Sequence, residues 1–419
     1  MSDKYMNRVI DSFIKKRLGS AGAIQIEGSK GCGKTRTAKE FSNSTFYLLD
    51  PNNPGNLGMA RSYPAEVLKG DVPRLIDEWQ FAPILWDAVR FTVDERGKKG
   101  QFILTGSSVP REDGYHHTGT GRISRVLMRP MSLFESEESN GSVSLEALFS
   151  GNGFLPCESK LLVSDIAKLI ARGGWPSSVI DGEYSSDYAR DYVESAVNSE
   201  MSRADVQKRD PDTVMRVLRS VSRNISSMAS TETITEDVIG DGRKISPRTV
   251  QQYIRALTRI FVVEDVPAWN ASTRSRVAIR TSPKRQMADP SLAAAVLGLD
   301  AAGILKDFRT FGFLFESLCI RDIRVYSQPL GGKVYHYRDR YDLEADAVIH
   351  LTDGRWAAVE IKLGTDEADD AAEKLLKLRE RIDAEKMNAP SFLMILTAAG
   401  YAYRRGDGVL VVPIGCLGP

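Results

Sequence analysis

The chain has 419 residues, more than one ordinary hydrophobic core holds, so its length predicts roughly two to four domains. Its apolar share of 42% and charged share of 26% are those of a soluble globular protein. The net charge of +1 excludes a uniformly charged surface for nucleic acid or membrane, so any such surface has to come from local clustering. The 4 cysteines are scattered and form no CxxC pair, which argues against a disulfide framework or a zinc site and fits a reducing cytoplasm.

The amino-terminal segment gives no sign of export or membrane insertion. Residues 1–18 are polar and amphipathic and lack the apolar stretch of a signal peptide. No part of the sequence approaches the roughly 20 apolar residues that a membrane-spanning helix needs. We therefore expect a cytoplasmic protein without a membrane partner.

The first third of the chain alternates short apolar runs with helical repeats. Residues 5–18 have the pattern of an amphipathic helix. Strands that alternate with helices predict a mostly parallel, layered α/β sheet. The pattern fades near residue 135, where an acidic stretch rich in serine and glycine follows. The apolar runs are residues 23–27, 46–49, 74–76 and 101–104.

A glycine-rich segment follows the first of these runs. Residues 28–35 read GSKGCGKT and fit the phosphate-binding pattern G-x-x-x-x-G-K-[ST]. Glycines let backbone N–H groups converge on phosphates, and the dipole of the helix after the loop adds to the attraction. In this interpretation Lys34 reaches the β- and γ-phosphates of ATP and the Thr35 hydroxyl ligates Mg²⁺, whereas the alternative is a chance glycine-rich turn. The predicted nucleotide-binding residues of the loop are Gly28, Ser29, Lys30, Gly31, Cys32, Gly33, Lys34 and Thr35.

Two of the later apolar runs, residues 74–76 and 101–104, are each followed by polar residues. Asp77 is predicted to bind ATP by holding the Mg²⁺ shell and Glu78 to orient the attacking water, although an acidic turn in solvent has the same pattern. The run at 101–104 leads into the letters TGSS. Ser107 or Ser108 is the candidate for a side chain that senses the γ-phosphate, with Ser108 taken as the catalytic candidate. The alternative is an ordinary Gly/Ser turn.

Two arginines, Arg122 and Arg125, follow just beyond the predicted sheet. An arginine that one subunit donates to the γ-phosphate of its neighbour stabilises the charge that develops during phosphoryl transfer. Both arginines are therefore candidate catalytic residues that act between subunits. The alternative is that each is a solvated surface arginine.

Residues 201–285 are basic. They contain 16 lysines and arginines and 9 acidic residues, a net charge of +7. Helical patterns are followed by a β-run at 261–266, and Ser246 before Pro247 marks the start of the third helix. Three helices followed by a β wing are typical of a winged helix.

The third helix of this basic segment carries the candidate DNA contacts. Arg248, Arg255 and Arg259 are predicted to contact DNA phosphates, with an affinity that falls steeply in salt. The alternative is a protein–protein module whose arginines are solvated.

The last part of the chain contains acidic residues on apolar strands. Asp346 lies in one strand, and Glu360 and Lys362 share one face of the next because side chains alternate along a strand. Asp346 and Glu360 are predicted to hold a second Mg²⁺, with Glu316 from a preceding helix as a further ligand and Lys362 near the scissile phosphate. One alternative is that these residues are solvated side chains on an edge hairpin. Another is that they belong to a nuclease-like fold without activity.

The turn between these two strands decides whether the carboxylates can meet. A two-residue turn at Asp353 and Gly354 would place Asp346 and Glu360 on opposite faces. A three-residue loop over residues 353–355 would put Asp346 opposite Lys362 and all three side chains on one face. A metal site requires the shared face, so we predict the odd-length loop or an equivalent bulge, with Gly354 or its neighbour in the left-handed conformation.

Together these motifs resemble a known family. The letters GSKGCGKT, IDEWQ, TGSS, GRISRVLMRPMSLFE and GGWP, with the basic segment and the Asp346/Glu360/Lys362 pattern, are similar to prokaryotic AAA-type (AAA+) ATPases that carry a carboxyl-terminal nuclease-like domain. The resemblance covers essentially the whole chain. It implies ATP hydrolysis in a homo-oligomer, typically a hexameric ring, whose neighbouring subunits complete each site.

The resemblance also implies the fold class, an α/β P-loop AAA+ core with further domains. The expected domains are an ATPase core at 1–140, a helical lid at 141–200, a winged-helix domain at 201–285 and an α+β, restriction-endonuclease-like PD-(D/E)xK domain at 286–419. The first three domains in this order also resemble Holliday-junction branch-migration motors.

The leading functional hypothesis is an ATP-hydrolysing motor, with ATP and Mg²⁺ as cofactors, that remodels or branch-migrates DNA. One alternative is an ATP-regulated, metal-dependent nuclease. A second is a non-enzymatic switch that binds ATP and recruits partners.

Overall fold

The structure, a computed structural model, describes eight stretches of the chain. No helix within them is long and apolar enough to cross a membrane. The predicted catalytic residue Ser108 lies outside the described residues. The described stretches are residues 5–107, 118–152, 154–182, 187–201, 209–239, 245–270, 282–382 and 387–419.

The amino-terminal region is built on a five-stranded sheet in the order β2-β3-β4-β1-β5, in which every neighbouring pair is parallel. The central strands are buried because helices cover the sheet, as in α/β folds. This confirms the predicted mixed α/β fold with a parallel sheet. The strands are β1 Ala23–Glu27, β2 Ser44–Tyr47, β3 Arg74–Asp77, β4 Phe102–Gly106 and β5 Ile123–Leu127. The helices are α1 Asp11–Ser20, α2 Lys34–Glu40, α3 Asn56–Ser62, α4 Pro64–Val67 and α5 Ile84–Arg96.

The edge strand β5 corrects one expectation. Arg125 was expected beyond the sheet but lies within β5, opposite Gln25 of β1. Only Ile123 and Val126 of this strand are buried, so its alternation is too weak to read from the sequence. Charged side chains on an edge strand also protect it against pairing with other chains.

A helical segment follows, with apolar helix faces packed on one another. At the start of α12, Pro247–Arg259, the Ser246 hydroxyl accepts a hydrogen bond from the backbone N–H of Thr249, with Pro247 at the first helical position, as the sequence predicted. A two-stranded antiparallel hairpin, β8 Val263–Val266 and β9 Lys284–Met287, follows this helix. The helices are α7 Val163–Arg172, α8 Pro176–Asp181, α9 Asp187–Ser195, α10 Pro211–Arg223, α11 Thr231–Ile239, α12 Pro247–Arg259, α13 Pro290–Leu297 and α14 Ala301–Lys306.

The carboxyl-terminal region is a seven-stranded mixed sheet in the order β10-β11-β12-β13-β15-β14-β7, in which the edge strand β7 is Cys157–Glu158. Helix α15 Phe308–Ser327 contributes to the core on one face, and α16 Ala368–Arg381 to the core on the other. The first of these cores continues into the helical segment without a break. The strands are β10 Gly332–Arg338, β11 Glu344–Leu351, β12 Trp356–Lys362, β13 Leu393–Thr397, β14 Tyr401–Arg404, β15 Leu410–Pro413 and β16 Leu417–Gly418.

Residues 139–159 differ from the helical lid expected over 141–200. They contain β6 Val143–Ser144, the short helix α6 Leu145–Phe149 and β7 Cys157–Glu158. The two strands pair with β16 and β14 of the carboxyl-terminal region. Strands of two residues carry no readable alternation, and their partners are more than two hundred residues away, so sequence patterns miss them.

Candidate functional site

The glycine-rich segment, residues 28–35, forms the loop between β1 and α2, at the carboxyl edge of the parallel sheet. We call this loop the P-loop. Gly28, Gly31 and Gly33 all have positive φ, at 147°, 75° and 103°. At Gly28 a side chain is also excluded by space, because a Cβ atom would lie 2.0 Å from the carbonyl oxygen of Met128. The loop therefore presents main-chain groups and the amino terminus of α2, which together favour a bound anion such as a phosphate.

Lys34 is folded back over this loop. Its ammonium group donates hydrogen bonds to the carbonyl oxygens of Gly28 at 2.9 Å and Ser29 at 2.7 Å. The lysine is buried, and both acceptors are neutral. A lysine held by main-chain carbonyls is available for a stronger, charge-assisted interaction with phosphate oxygens.

Thr35 and Asp77 meet beside the loop. The Thr35 hydroxyl donates to Asp77 Oδ1 at 2.8 Å, although the two residues are 42 positions apart. A hydroxyl and a carboxylate are hard oxygen donors of the kind that bind Mg²⁺ with nucleotide phosphates. The residues present therefore fit Mg²⁺ held between this pair and a nucleotide.

Thr105 is a site residue that the sequence patterns missed. Its hydroxyl donates to the same Asp77 oxygen, because Thr105 is the direct register partner of Asp77 in the parallel pair β3–β4. Ser107, expected with Ser108 to supply the polar group, lies beyond β4. The sequence does contain a threonine at the end of this strand, which could have indicated the site. The strand register that places it opposite Asp77 is not visible in the sequence.

Glu78 follows in an uncommon conformation. Its φ and ψ of 58° and 40° are left-handed, which is rare for a residue other than glycine and concentrates at functional sites. The side-chain amide of Gln80 donates to its carboxylate. Burial raises the pKa of Glu78, while the Gln80 hydrogen bond and Lys34 oppose that rise. Glu78 is thus a carboxylate with raised proton affinity, held in a fixed position next to Asp77.

The two candidate arginines lie elsewhere on the sheet. Arg122 precedes β5 at the amino edge of the sheet and pairs with Asp94 at 2.8 Å on the surface. Arg125 is exposed and lies over the ring of Trp86, with 5.7 Å from its Cζ to the ring centroid. Parallel strands place the P-loop at the opposite edge from Arg122.

The helical segment covers the outer side of the P-loop. The Ser29 hydroxyl donates to the carbonyl oxygen of Phe261, directly after α12, at 2.7 Å. A Cβ atom at Gly31 would lie 2.0 Å from the hydroxyl oxygen of Tyr188 in α9. Tyr188 in turn packs against Trp175 of the GGWP motif at residues 173–176, with ring centroids 5.5 Å apart. The loop and the helices are therefore in direct contact.

The three candidate DNA-binding arginines share one exposed side of α12. Arg248, Arg255 and Arg259 are all exposed, and their spacing of seven and four residues places them on one helix face. The opposite face is buried in the core through residues such as Ile254 and Leu257. The basic face is therefore open for a partner.

The carboxyl-terminal acidic residues are brought together, but with an extra lysine. Lys284 of β9 donates to Glu316 Oε1 at 2.9 Å and to Asp346 Oδ1 at 3.0 Å. Lys362 lies 3.7 Å from Glu360, which is 3% exposed. We call these five residues, Lys284, Glu316, Asp346, Glu360 and Lys362, the carboxylate cluster.

Electrostatics within the carboxylate cluster depend on Lys284. Burial and the neighbouring Asp346 raise the pKa of Glu316 to about 8, against the opposing effect of Lys284. Burial also acts to raise the pKa of Asp346, but Lys284 and the backbone N–H of Ile361 hold that pKa below its usual range. Burial and Asp346 raise the pKa of Glu360 well above its usual range. Of these three carboxyl groups, Asp346 is thus the one whose pKa is lowered.

The hairpin between β11 and β12 corrects the predicted register. Val348 pairs with Ala358 and His350 with Trp356, so the loop consists of residues 352–354 rather than 353–355. The loop has the predicted odd length, and Gly354 has a φ of 89°. The shift arises because Leu351 closes the loop, donating its N–H to the carbonyl of Arg355 at 2.8 Å. Extended by one step, this register puts Asp346 opposite Glu360 instead of Lys362.

Two observations bear on the metal site predicted at this cluster. Within the described stretches, no three His, Cys, Asp or Glu side chains converge in a way that could hold a metal ion. The ammonium of Lys284 lies between Glu316 and Asp346, where a shared metal would bind. The sequence analysis missed Lys284 because it lies 32 positions from the nearest of the three carboxylates, in a different segment.

Three family matches cover most of the chain. Residues 20–137 match the AAA domain family. Residues 163–303 and 311–417 match two domains of unknown function, DUF8612 and DUF4143. These limits follow the parallel sheet, the helical segment and the carboxyl-terminal region.

Individual relatives are distant. Two uncharacterized proteins, of Mycobacterium bovis and Mycobacterium tuberculosis, are each 24% identical over 358 residues, which is 83% of this chain and 72% of theirs. The Walker-type ATPase PABY2304 of Pyrococcus abyssi aligns with 71% of this chain and 97% of its own at 13% identity and a TM-score of 0.42. The Aeropyrum pernix ORC1 protein in complex with DNA aligns with 71% and 93% at 14% identity and a TM-score of 0.26.

The AAA match contains the P-loop, the Asp77–Glu78 strand end and Thr105, the residues that the structure gathers at one edge of the sheet. It supports an AAA-type ATPase in the amino-terminal part of this chain.

Proposed function

We propose that this protein is an ATP-hydrolysing AAA motor that acts on nucleic acid, with the remodelling or branch migration of DNA as its concrete task. The observation that carries the ATPase part is the contact of Thr35 with Asp77 beside the P-loop, at 2.8 Å. A nucleotide-dependent Mg²⁺ site requires a hydroxyl and a carboxylate at that position.

The chain's own residues divide the work at the nucleotide. Main-chain N–H groups of the P-loop and the ammonium of Lys34 bind the phosphates. Thr35 and Asp77 hold Mg²⁺, which when bound neutralises charge on the phosphate oxygens. Glu78 orients the attacking water and accepts its proton, while Thr105 fixes the orientation of Asp77. The strained backbone of Glu78 and its contact with Gln80 keep that carboxylate in place.

The active form is a homo-oligomer, with a hexameric ring as the expected assembly. Arg122 lies at the edge of the sheet opposite the P-loop of its own subunit and Arg125 packs on Trp86, and we assign one of the two to the neighbouring subunit. Mixing an Arg122→Ala, Arg125→Ala double variant with a Lys34→Ala variant should restore part of the ATPase activity, because each supplies what the other lacks. Full activity in a strictly monomeric protein would contradict this arrangement.

The nucleic-acid part of the proposal rests on α12 and its link to the P-loop. The helix presents three exposed arginines. The carbonyl oxygen of Phe261, just after the helix, accepts a hydrogen bond from Ser29. A change in the loop on nucleotide binding therefore has a direct path to the helix that we propose contacts DNA phosphates. This order of helices followed by a hairpin is also that of a winged helix, which supports the same role.

ATPase assays with and without DNA test the proposal. The wild-type protein should hydrolyse ATP, and single-stranded, duplex or four-way-junction DNA should raise the rate, with the preferred form identifying the substrate. A Lys34→Ala variant, folded but unable to bind nucleotide, is the control for contaminating ATPases. Turnover that no DNA form changes would refute the action on DNA and leave the ATPase assignment standing. Tight ATP binding with negligible turnover under all conditions would instead indicate a switch.

A further inference from the structure

The carboxylate cluster contains a lysine that nothing in the nucleotide chemistry uses. Lys284 has 7% of its side chain exposed, and its ammonium lies 2.9 Å from Glu316 and 3.0 Å from Asp346. Those carboxylates are themselves 12% and 16% exposed. A charge this deeply buried is retained only with partners of opposite charge, so these contacts are the condition for Lys284 to be there.

Both oxygens of Asp346 are engaged. Oδ1 accepts from Lys284, and Oδ2 accepts from the backbone N–H of Ile361 at 2.9 Å. A divalent metal bridging Glu316 and Asp346 would have to occupy the position of the ammonium group. Two positive charges cannot share that position, so metal and lysine exclude each other.

The position of Lys284 is set by the hairpin β8–β9 rather than by a free side chain. Lys284 is the register partner of Val266, at the end of that hairpin where the two strands are connected. The chain next to it is fixed to β10, since Trp269 donates its N–H to the carbonyl of His336 at 2.6 Å and His336 donates to the carbonyl of Pro267 at 3.0 Å. Arg324 of α15 also donates to the carbonyl of Asp265 at 2.7 Å. These contacts hold the backbone that carries Lys284 beside the carboxyl-terminal sheet.

We propose that Lys284 is the resident cation of the carboxylate cluster, which is thereby closed to divalent metal. The cluster fastens the hairpin of the helical segment to the carboxyl-terminal region, and this region does not act as a metal-dependent nuclease. The inference depends on the cluster alone and stands whether or not the proposed ATPase function is correct.

Manganese binding to the full-length protein tests this inference. All variants carry Asp77→Asn, which removes metal binding at the nucleotide site, and no nucleotide is added. Bound Mn²⁺ is counted by electron paramagnetic resonance, and the melting temperature is measured with Mn²⁺ and with EDTA. The variants are Lys284→Met, which keeps the side-chain length without its charge, Lys284→Met with Asp346→Asn, and the exposed-lysine control Lys333→Met.

We expect the Asp77→Asn protein and the Lys333→Met control to bind no Mn²⁺ and to melt at the same temperature with Mn²⁺ and EDTA. Lys284→Met should melt lower in EDTA, bind one Mn²⁺ and recover part of the lost melting temperature, because a ligand of the folded state stabilises it. Adding Asp346→Asn should abolish that recovery.

Two outcomes would overturn the inference. One is a folded Lys284→Met variant that binds no Mn²⁺, which would show that the lysine is not what excludes metal. The other is Mn²⁺ bound with Lys284 in place and lost with Asp346→Asn, or DNA cleavage by the wild-type protein that Glu360→Gln abolishes. These measurements on wild-type Lys284 decide the question even if Lys284→Met does not fold.

Discussion

The nucleotide site and the carboxylate cluster use the same kinds of side chain in opposite ways. At the nucleotide site, Lys34 donates to neutral main-chain carbonyls while Asp77 accepts from two hydroxyls. In the carboxylate cluster, Lys284 donates directly to two carboxylates. The first arrangement leaves both charges available for Mg²⁺ and phosphate. The second satisfies them internally. If Lys284 excludes metal as we propose, the pairing of charges decides what a site can bind more than the residue types do.

Removing each lysine should give the sharpest contrast between the two sites. We expect Lys34→Ala to weaken ATP binding by about a hundredfold or more, because charge-assisted contacts to the phosphates are lost. Lys284→Met should leave ATP affinity unchanged while lowering the melting temperature. Isothermal titration calorimetry with ATP checks both, with the exposed Lys39→Ala of α2 as control. Equal loss of ATP affinity in Lys34→Ala and Lys39→Ala would contradict the assigned role of Lys34.

The acidic residues should differ in the same way. We expect Glu78→Gln to bind ATP normally but to reduce kcat by roughly a hundredfold to a thousandfold, because the amide cannot accept the proton of the attacking water. Glu360→Gln in the carboxylate cluster should not change kcat. Steady-state ATPase assays measure both, and Glu66→Gln on the exposed helix α4 is the matched control. Normal turnover in Glu78→Gln would remove this residue from catalysis.

The hairpin that carries Lys284 also contacts the ATPase region. A substitution in that contact therefore tests how much it stabilises the protein. Glu264 of β8 pairs with Arg129, which follows β5, and lies 3.1 Å from Arg324 of α15. We expect Glu264→Gln to lower the free energy of unfolding by about 1–3 kcal/mol at pH 7, because two arginines lose their partner. Urea unfolding of this variant and of the exposed Glu236→Gln control measures the difference.

The same ion pair predicts a direction for pH dependence. Although burial opposes it, Arg129 and Arg324 lower the pKa of Glu264 to about 2. A carboxyl whose pKa is lower in the folded state contributes stability above the pKa of the unfolded chain, and that contribution is lost as pH falls towards the folded value. The stability difference between wild type and Glu264→Gln should therefore shrink as pH falls below about 4.5. A difference that stays constant from pH 7 to pH 3 would contradict this account.

The smallest expected effect concerns the proposed DNA contacts, which lie outside both sites. Replacing Arg255 by alanine should weaken binding of duplex DNA by roughly threefold to tenfold and lower the slope of log affinity against log salt by about one unit. Fluorescence anisotropy at several salt concentrations measures both, with the exposed Arg61→Ala of α3 as control. An unchanged slope would indicate that α12 contacts a protein or solvent instead.

Local patterns in the sequence predicted much of the nucleotide site. The loop at 28–35 with a strand before it and a helix after it, and the acidic pair Asp77 and Glu78 at a strand end, depend on neighbours within a few residues. The amino-terminal cap of α12 is equally local, since Ser246 contacts the N–H three residues on. The role of Thr105 could not be predicted from neighbouring residues, because its contact with Asp77 follows from the register between two strands.

The amino-acid sequence by itself therefore determined the parallel α/β sheet, the phosphate loop and the odd length of the loop between β11 and β12, although it placed that loop one residue too far along the chain. Only the tertiary structure decided that Lys284 lies between Glu316 and Asp346, that residues 139–159 join the carboxyl-terminal strands, and that Ser29 contacts the end of α12. The physical reason is range. Caps, turns and alternation are set by neighbouring residues, whereas a buried charge is paired by whatever the packed domains bring next to it.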